Sequence, residues 1–366
     1  MSSGDAKSSG AGRTGWMAVC AAVVVLGVAG WLAYAMALDP PRAWRALLIN
    51  FIYFTPLAAG MVVWPAVLAA ARSEWTGPVE RHAMAGLAFA PVSIIALLAL
   101  VIGREHWAAW LHETHLHNAA WLNAPLLFAR DAAAIVVLWA LAAIFVVRRR
   151  RWRSKVFAGW LVFAYAIVLT LVAFDMVMAL DPHWFSALFG GYFFVSGMYA
   201  AVAAWTLVAL LRSPQADADR RHDLGKLIVT FSLLTTYMMF SQLIVFWYEN
   251  LPEEVRFVVP RMTHWAPPWP AVSAGLLVVV YLGPLVFLLP VRAKRSPACL
   301  GIAAAAVLVG LWFERWWLVT PTLGGPLTVG VVELAITAAC AAALALGIGW
   351  LWPHLPPPVS EEAEQA

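Results

Sequence analysis

The sequence encodes an all-α, polytopic membrane protein, and three observations predict it. Hydrophobic residues make up 63% of the chain and charged residues only 12%, whereas soluble globular domains are roughly 45–50% apolar. Mean hydropathy is +0.79. The apolar residues fall in runs of about 20, the length a helix needs to cross a ~30 Å hydrocarbon core, and short polar or basic segments separate the runs. The formal charge of +4 is not a nucleic-acid signal, because the basic residues lie in the segments between runs rather than on one face.

In chain order, residues 1–15 are rich in Ser and Gly, carry Lys7 and Arg13, and read as a disordered cytoplasmic tail. The run from Trp16 to Ala37 is longer than the roughly 7–15-residue core of a cleaved signal peptide, so it reads as a retained span. Further spans are expected near Trp44–Ala71, Ala83–Gly103, Pro125–Val147, Val156–Ala179, Leu188–Leu211, Lys226–Tyr248, Pro270–Pro290, Cys299–Leu318 and Thr328–Trp352. That makes about ten helices by the ~20-residue rule. Residues 353–366 form an acidic cytoplasmic tail.

Met36-Ala37-Leu38-Asp39-Pro40 recurs letter for letter as Met178-Ala179-Leu180-Asp181-Pro182. Each copy is followed by a Tyr-Phe pair (Tyr53-Phe54, Tyr192-Phe193) and then a Gly-Met pair (Gly60-Met61, Gly197-Met198). The pattern predicts two repeats of four helices, about 39–179 and 181–318, packed as two four-helix bundles within a membrane domain spanning 16–352. The helices at 16–37 and 328–352 flank them. Each proline pushes the preceding Asp out of the helical region, so Asp39 and Asp181 are both expected to cap the next helix, with proline in its first turn.

Lys and Arg lie mostly in the amino-terminal tail and in the connections after the even-numbered spans, with only Arg42, Arg45, Arg104, Arg256, Arg261 and Arg315 on the other side. The positive-inside rule then puts both termini in the cytoplasm. Tryptophans at span ends, among them Trp16, Trp44, Trp107, Trp184 and Trp247, read as an interfacial belt.

The three cysteines form no CxxC or CxxCH motif, which argues against Fe–S ligation or c-type haem, and the histidines lie in loops or at span ends rather than paired inside helices. The stretch His112-Glu113-Thr114-His115-Leu116-His117 holds metal-ligand residue types, but no second ligand set flanks it, and no metal site is expected. Carboxylates inside spans carry more information. Asp175 lies about five residues inside its span, where the first copy has Ala33, so helix termination does not require it. An ionisable group there is a functional-site candidate. Asp131 beside Arg130 and Glu314 beside Arg315 are expected to be compensated by those neighbours, while Glu249 and Glu333 have none. The seventh span carries Ser232, Thr235, Thr236, Tyr237, Ser241 and Gln242, either as interhelical hydrogen bonds or as part of a proton or quinol path.

Three stretches carry a family resemblance: Trp121 to Arg130 (WLNAPLLFAR), Phe174 to Gly191 (FDMVMALDPHWFSALFGG) and His222 to Arg261 (HDLGKLIVTFSLLTTYMMFSQLIVFWYENLPEEVRFVVPR). Together they resemble the NrfD-type membrane subunits, most closely the ActF subunit of bacterial alternative complex III. The resemblance implies an integral subunit of a quinol:cytochrome c oxidoreductase in the bacterial cytoplasmic (inner) membrane. Its partners would be membrane lipid, an ActC-like membrane subunit, an Fe–S subunit and multihaem cytochrome subunits, with haem and Fe–S on those partners. Its own cofactor would be at most a quinone, menaquinone or ubiquinone. The proton-pathway candidates are then Asp175, Tyr237, Gln242, Glu249, Glu333 and Asp131, and the quinone-contact candidates are His264, Arg261 and Trp247. The chain departs from the pattern at Met176, where Trp is common, at Ala179, where Ser is common, and at Val280-Tyr281 before Gly283-Pro284, where His is frequent. Two other readings fit a polytopic chain: a secondary transporter or channel, whose helices are broken near the midplane by Gly or Pro, and a purely structural membrane anchor.

Overall fold

A computed structural model describes residues 3–73, 75–113, 118–149, 154–213, 217–262, 268–324 and 328–356, and the described residues form helices and connections with no strand. Ten helices among them are long and apolar enough to cross a membrane: α1 (Gly15–Leu38), α2 (Pro40–Ala70), α3 (Glu80–Ile102), α4 (Ala124–Arg148), α5 (Lys155–Leu180), α6 (Phe189–Arg212), α7 (Ala218–Glu249), α8 (Trp269–Phe287), α9 (Pro297–Val319) and α10 (Val331–His354). Such a chain is an all-α, multi-pass membrane protein, the fold class the sequence predicts. The helix that contains α1 begins at Ser3, so residues 3–14, which composition marks as a tail, continue it as helix.

Local chemistry starts most of these helices. Asp39 caps α2 by accepting from the Arg42 amide at 3.2 Å, with Pro40 and Pro41 in the first turn, whose missing N–H groups cost nothing there. Asn123, Ser154 and Ser296 cap α4, α5 and α9 in the same way. The second Asp-Pro junction differs from its first copy. Asp181 does not cap α6, which begins at Phe189 after Leu188; its side chain instead accepts from the His183 amide at 3.3 Å and pairs with Arg256 at 2.8 Å. The cause lies next door. Trp184 is buried and stacks on Phe257 with ring centroids 4.0 Å apart, which holds residues 182–187 as a connection.

The α2 helix is the axis of the molecule. Its apolar window is 100% buried and that of α6 72% buried, whereas α7 and α8 are each 22% buried. A helix that is apolar all round belongs inside a bundle. Gly60 of α2 and Gly197 of α6, the glycines of the two Gly-Met pairs, let these helices approach: a Cβ on Gly60 would stand 2.8 Å from the Ala201 Cβ and 3.4 Å from the Gly197 carbonyl. The α5 helix packs on α2 and α6, α9 does the same from the other side, and α1 and α10 pair at the flank. The α8 helix is interrupted by a π-helical segment, Leu277–Leu282, ahead of Gly283-Pro284. Pro284 offers no N–H and crowds the carbonyl four residues back, that of Val280. The Tyr199 hydroxyl takes up that carbonyl at 3.1 Å, and Ser232 takes up the next, that of Tyr281, at 2.6 Å.

Candidate functional site

Because ten spans alternate in direction, the starts of α2, α4 and α10 and the ends of α5 and α9 all lie at one face, and most of the buried charges gather there, with Glu80 and Lys294 at the other. In the first bundle Asp175 is fully buried near the end of α5. Arg130 of α4 donates to its Oδ2 through Nε at 3.1 Å and Nη2 at 2.6 Å, and the Trp121 indole donates to its Oδ1 at 2.7 Å. The guanidinium also lies over the Trp121 ring, 3.9 Å from its centroid. Three N–H donors thus converge on the Asp175 carboxyl. Trp121 is 43% exposed, so this cluster opens to the surface of the molecule.

Asp131, next to Arg130 in sequence, is 0% exposed, and neither of its oxygens has a hydrogen-bond partner. Arg130 gives it no hydrogen bond and acts on it only through its charge, so the expected compensation is partial. Arg130 spends its Nε and Nη2 on Asp175 of α5 instead. What faces Asp131 is the Asp175 carboxyl. Two carboxyl groups in contact cannot both be ionised without cost and are satisfied by one shared proton. Elsewhere on these helices and their connections the indole nitrogens of Trp110 and Trp139 are buried without a partner, and Thr55 of α2 bonds Ser93 of α3 at 2.9 Å. Thr55, Ser93, Asp131 and Asp175 are thus buried polar groups on the four helices of this bundle, with Arg45 and Asn50 also buried on α2 and Glu80 and His82 on α3.

The second bundle holds a closed counterpart. Glu314 is 0% exposed and Arg315 2%. Arg315 donates to Glu314 at 2.6 Å and to the Ser196 hydroxyl at 2.6 Å, and lies 4.4 Å from the Phe193 ring centroid. The Tyr192 hydroxyl donates to the other Glu314 oxygen and sits 2.7 Å from the Tyr281 hydroxyl. Here the adjacent pair does compensate itself, as expected from the sequence. The sequence matches no protein-family model and no curated protein.

Outside the spans, Arg261 is 1% exposed and donates to the carbonyls of Phe257, Trp317 and Leu318 and to the Thr322 hydroxyl, at 2.6 to 3.1 Å. Burial pulls its guanidinium down to about 9, against the pull of Asp181, and leaves it cationic at neutral pH. It lines a cavity of about 480 Å³ with Asp181, His183, Glu113 and Arg256.

The other residues marked in the sequence are dispersed. Tyr237 is 61% exposed and turned away from the bundle. Gln242 is buried and accepts from Ser186 at 3.3 Å. Glu249 is exposed beside Glu254, whose carboxyl is raised by burial and then by Glu249. Glu333 is 2% exposed and bonded to Arg42 at 2.7 Å and to the Gly330 amide at 2.8 Å, so it caps α10. Trp247 is 79% exposed on an apolar groove of about 700 Å³ formed with Val255 and Met262. His264 lies outside the described residues, as do residues 114–117 of the His/Glu stretch, whose His112 stands 3.6 Å from Glu105. Among the described residues no group of three or more metal-ligating side chains comes together. Trp107 and Trp184 are buried rather than interfacial.

Sequence reasoning found Asp175 but missed its partners. Trp121 and Arg130 stand 54 and 45 residues away from it, and no local pattern announces such a contact. Tyr192 did carry a signal, the repeated Tyr-Phe pair.

Proposed function

We propose that this chain is an integral subunit of a quinol:cytochrome c oxidoreductase of the alternative complex III type in the bacterial cytoplasmic membrane, with both termini cytoplasmic, and that it supplies a proton path and a docking surface. The motif likeness to ActF supports the family, and the distribution of Lys and Arg supports the orientation. Electrons travel on the haem and Fe–S centres of partner subunits. Quinone, if it touches this chain, does so at Trp247 and Arg261.

One observation carries the proton role: Asp131 is sealed from solvent, has no hydrogen-bond partner among the described residues, and faces Asp175, which already accepts three N–H groups from Arg130 and Trp121. A carboxyl so placed holds a proton and passes it to Asp175 without the large rearrangement that separating an ion pair would demand. From Asp175 the partly exposed Arg130 and Trp121 lead to the outer face. The broken α8 favours a second reading, a transporter, since discontinuous spans line many substrate paths.

The test is quinol-driven cytochrome c reduction in proteoliposomes containing a pH dye. Asp175→Asn keeps side-chain shape, so the complex assembles while proton release per electron falls. Unchanged turnover and proton yield in assembled variant would leave Asp175 structural, and purification of a lone oligomer without cytochrome or Fe–S partners would favour the transporter.

A further inference from the structure

On the face of α2 that carries Arg42 and Tyr53, α9 and α10 flank a cleft of about 460 Å³, floored by α2 and α6. Its polar wall groups are spent on the protein. The Tyr53 hydroxyl donates to the Leu308 carbonyl at 2.8 Å, the Trp312 indole to Asn50 at 3.3 Å, and the Thr337 hydroxyl to the Glu333 carbonyl at 2.6 Å. An occupant therefore meets hydrocarbon and ring surface only. Between the wall residues Leu334 and Ile348 the cleft runs along α10, about 21 Å at 1.5 Å per residue. That length passes the middle of a ~30 Å core, which suits an extended acyl chain.

The mouth of the cleft, at Val329 and Leu334, adjoins Glu333 and two arginines of α2. Arg42 uses Nε and Nη2 on Glu333 and the Thr328 carbonyl, while its Nη1 bonds nothing. Arg45, one turn further along, is only 7% exposed and makes no hydrogen bond among the described residues, with Glu333 and Asp39 near it. The acids near it are engaged elsewhere: Glu333 by Arg42 and the Gly330 amide, Asp39 by the Arg42 amide. None of its nitrogens is among the sealed, unpartnered atoms, so its N–H groups reach the surface beside the cleft mouth with no protein acceptor and are open to an anion. Helical side chains lean toward the helix N-terminus, which brings the Arg45 head toward the start of α2, where the helix dipole favours an anion.

We propose that this is a phospholipid site: the phosphodiester sits on Arg45 and the free edge of Arg42, and one acyl chain fills the cleft between α9 and α10. The site needs both halves, a phosphate to satisfy Arg45 and a chain to fill the dry cleft. It involves neither Asp131 nor Asp175, so its failure and that of the proton path are separable.

The full chain, purified in a sugar-headgroup detergent, is examined by native mass spectrometry and thermal denaturation with added phosphatidylglycerol, inorganic phosphate or more sugar detergent. One retained phospholipid per chain is expected, with stabilisation by phosphatidylglycerol alone. Arg45→Gln should lower the lipid-bound fraction at least tenfold. Ala341→Phe and Ala345→Phe, which narrow the cleft and change no charge, should lower it as well, and they keep the proposal falsifiable if Arg45→Gln does not fold. Equal stabilisation by inorganic phosphate would reduce the site to an anion pocket, and unchanged lipid retention in the cleft variants would overturn it.

Discussion

The two bundles each place an acid near the end of their fourth helix, and the acids live in opposite surroundings. The interval in sequence that separates Tyr53 from Tyr192 also separates Asp175 from Glu314. In the second bundle Glu314 has a cation beside it in sequence, the hydroxyls of Tyr192, Tyr281 and Ser196 complete the cluster, and Glu314 and Arg315 keep at most 2% of their surface exposed. In the first bundle the acid draws its cation from another helix, Trp121 and Arg130 remain partly exposed, and a second carboxyl is left with no donor at all. A closed, fully bonded pair locks helices together; an open pair with one proton to share can exchange it. Burial alone does not mark a proton site. An unmet hydrogen bond beside a route to water does.

The comparison is easiest to break at the closed centre. Arg315→Gln strands a buried carboxylate and frees Ser196, and should cost about 3–5 kcal/mol, read as loss of thermal stability of the purified chain in detergent. Little or no destabilisation would mean that the second centre is not the lock described here. At the open centre the expectation has the other sign. Asp131→Asn supplies the N–H donor that Asp175 lacks on that side, so stability should hold or rise by about 1 kcal/mol. The same variant should lose proton release. A large destabilisation by Asp131→Asn would show that its carboxyl has partners.

Much of this fold is legible in the sequence, because bilayer thickness sets span length and hydrocarbon sets composition; nine expected spans begin and end within a few residues of a helix, while the seventh misses the polar first two turns of α7, which begins at Ala218 rather than Lys226. The duplicated Asp-Pro phrase was legible as a repeat but misleading as a cap. Its conformation depends on the residues after the proline: Pro41 and Arg42 continue directly into α2, whereas Trp184 is captured by Phe257 and Arg256 claims Asp181. At the site, Asp175 declared itself by being ionisable in an apolar run. Its electrostatic state did not, since that depends on Arg130 choosing α5 over its own neighbour, a matter of side-chain direction around α4 that spacing in sequence does not encode.

The central claim is that Asp131 and Asp175 hold one exchangeable proton between them. Infrared spectroscopy of wild type against Asp131→Asn reads it most directly, through the carbonyl stretch of a protonated carboxyl. The account predicts such a band in the wild type, absent from Asp131→Asn, that shifts promptly when the film is moved from H₂O to D₂O. A spectrum in which Asp131→Asn removes only ionised carboxylate intensity, or a protonated band that ignores D₂O, would contradict it.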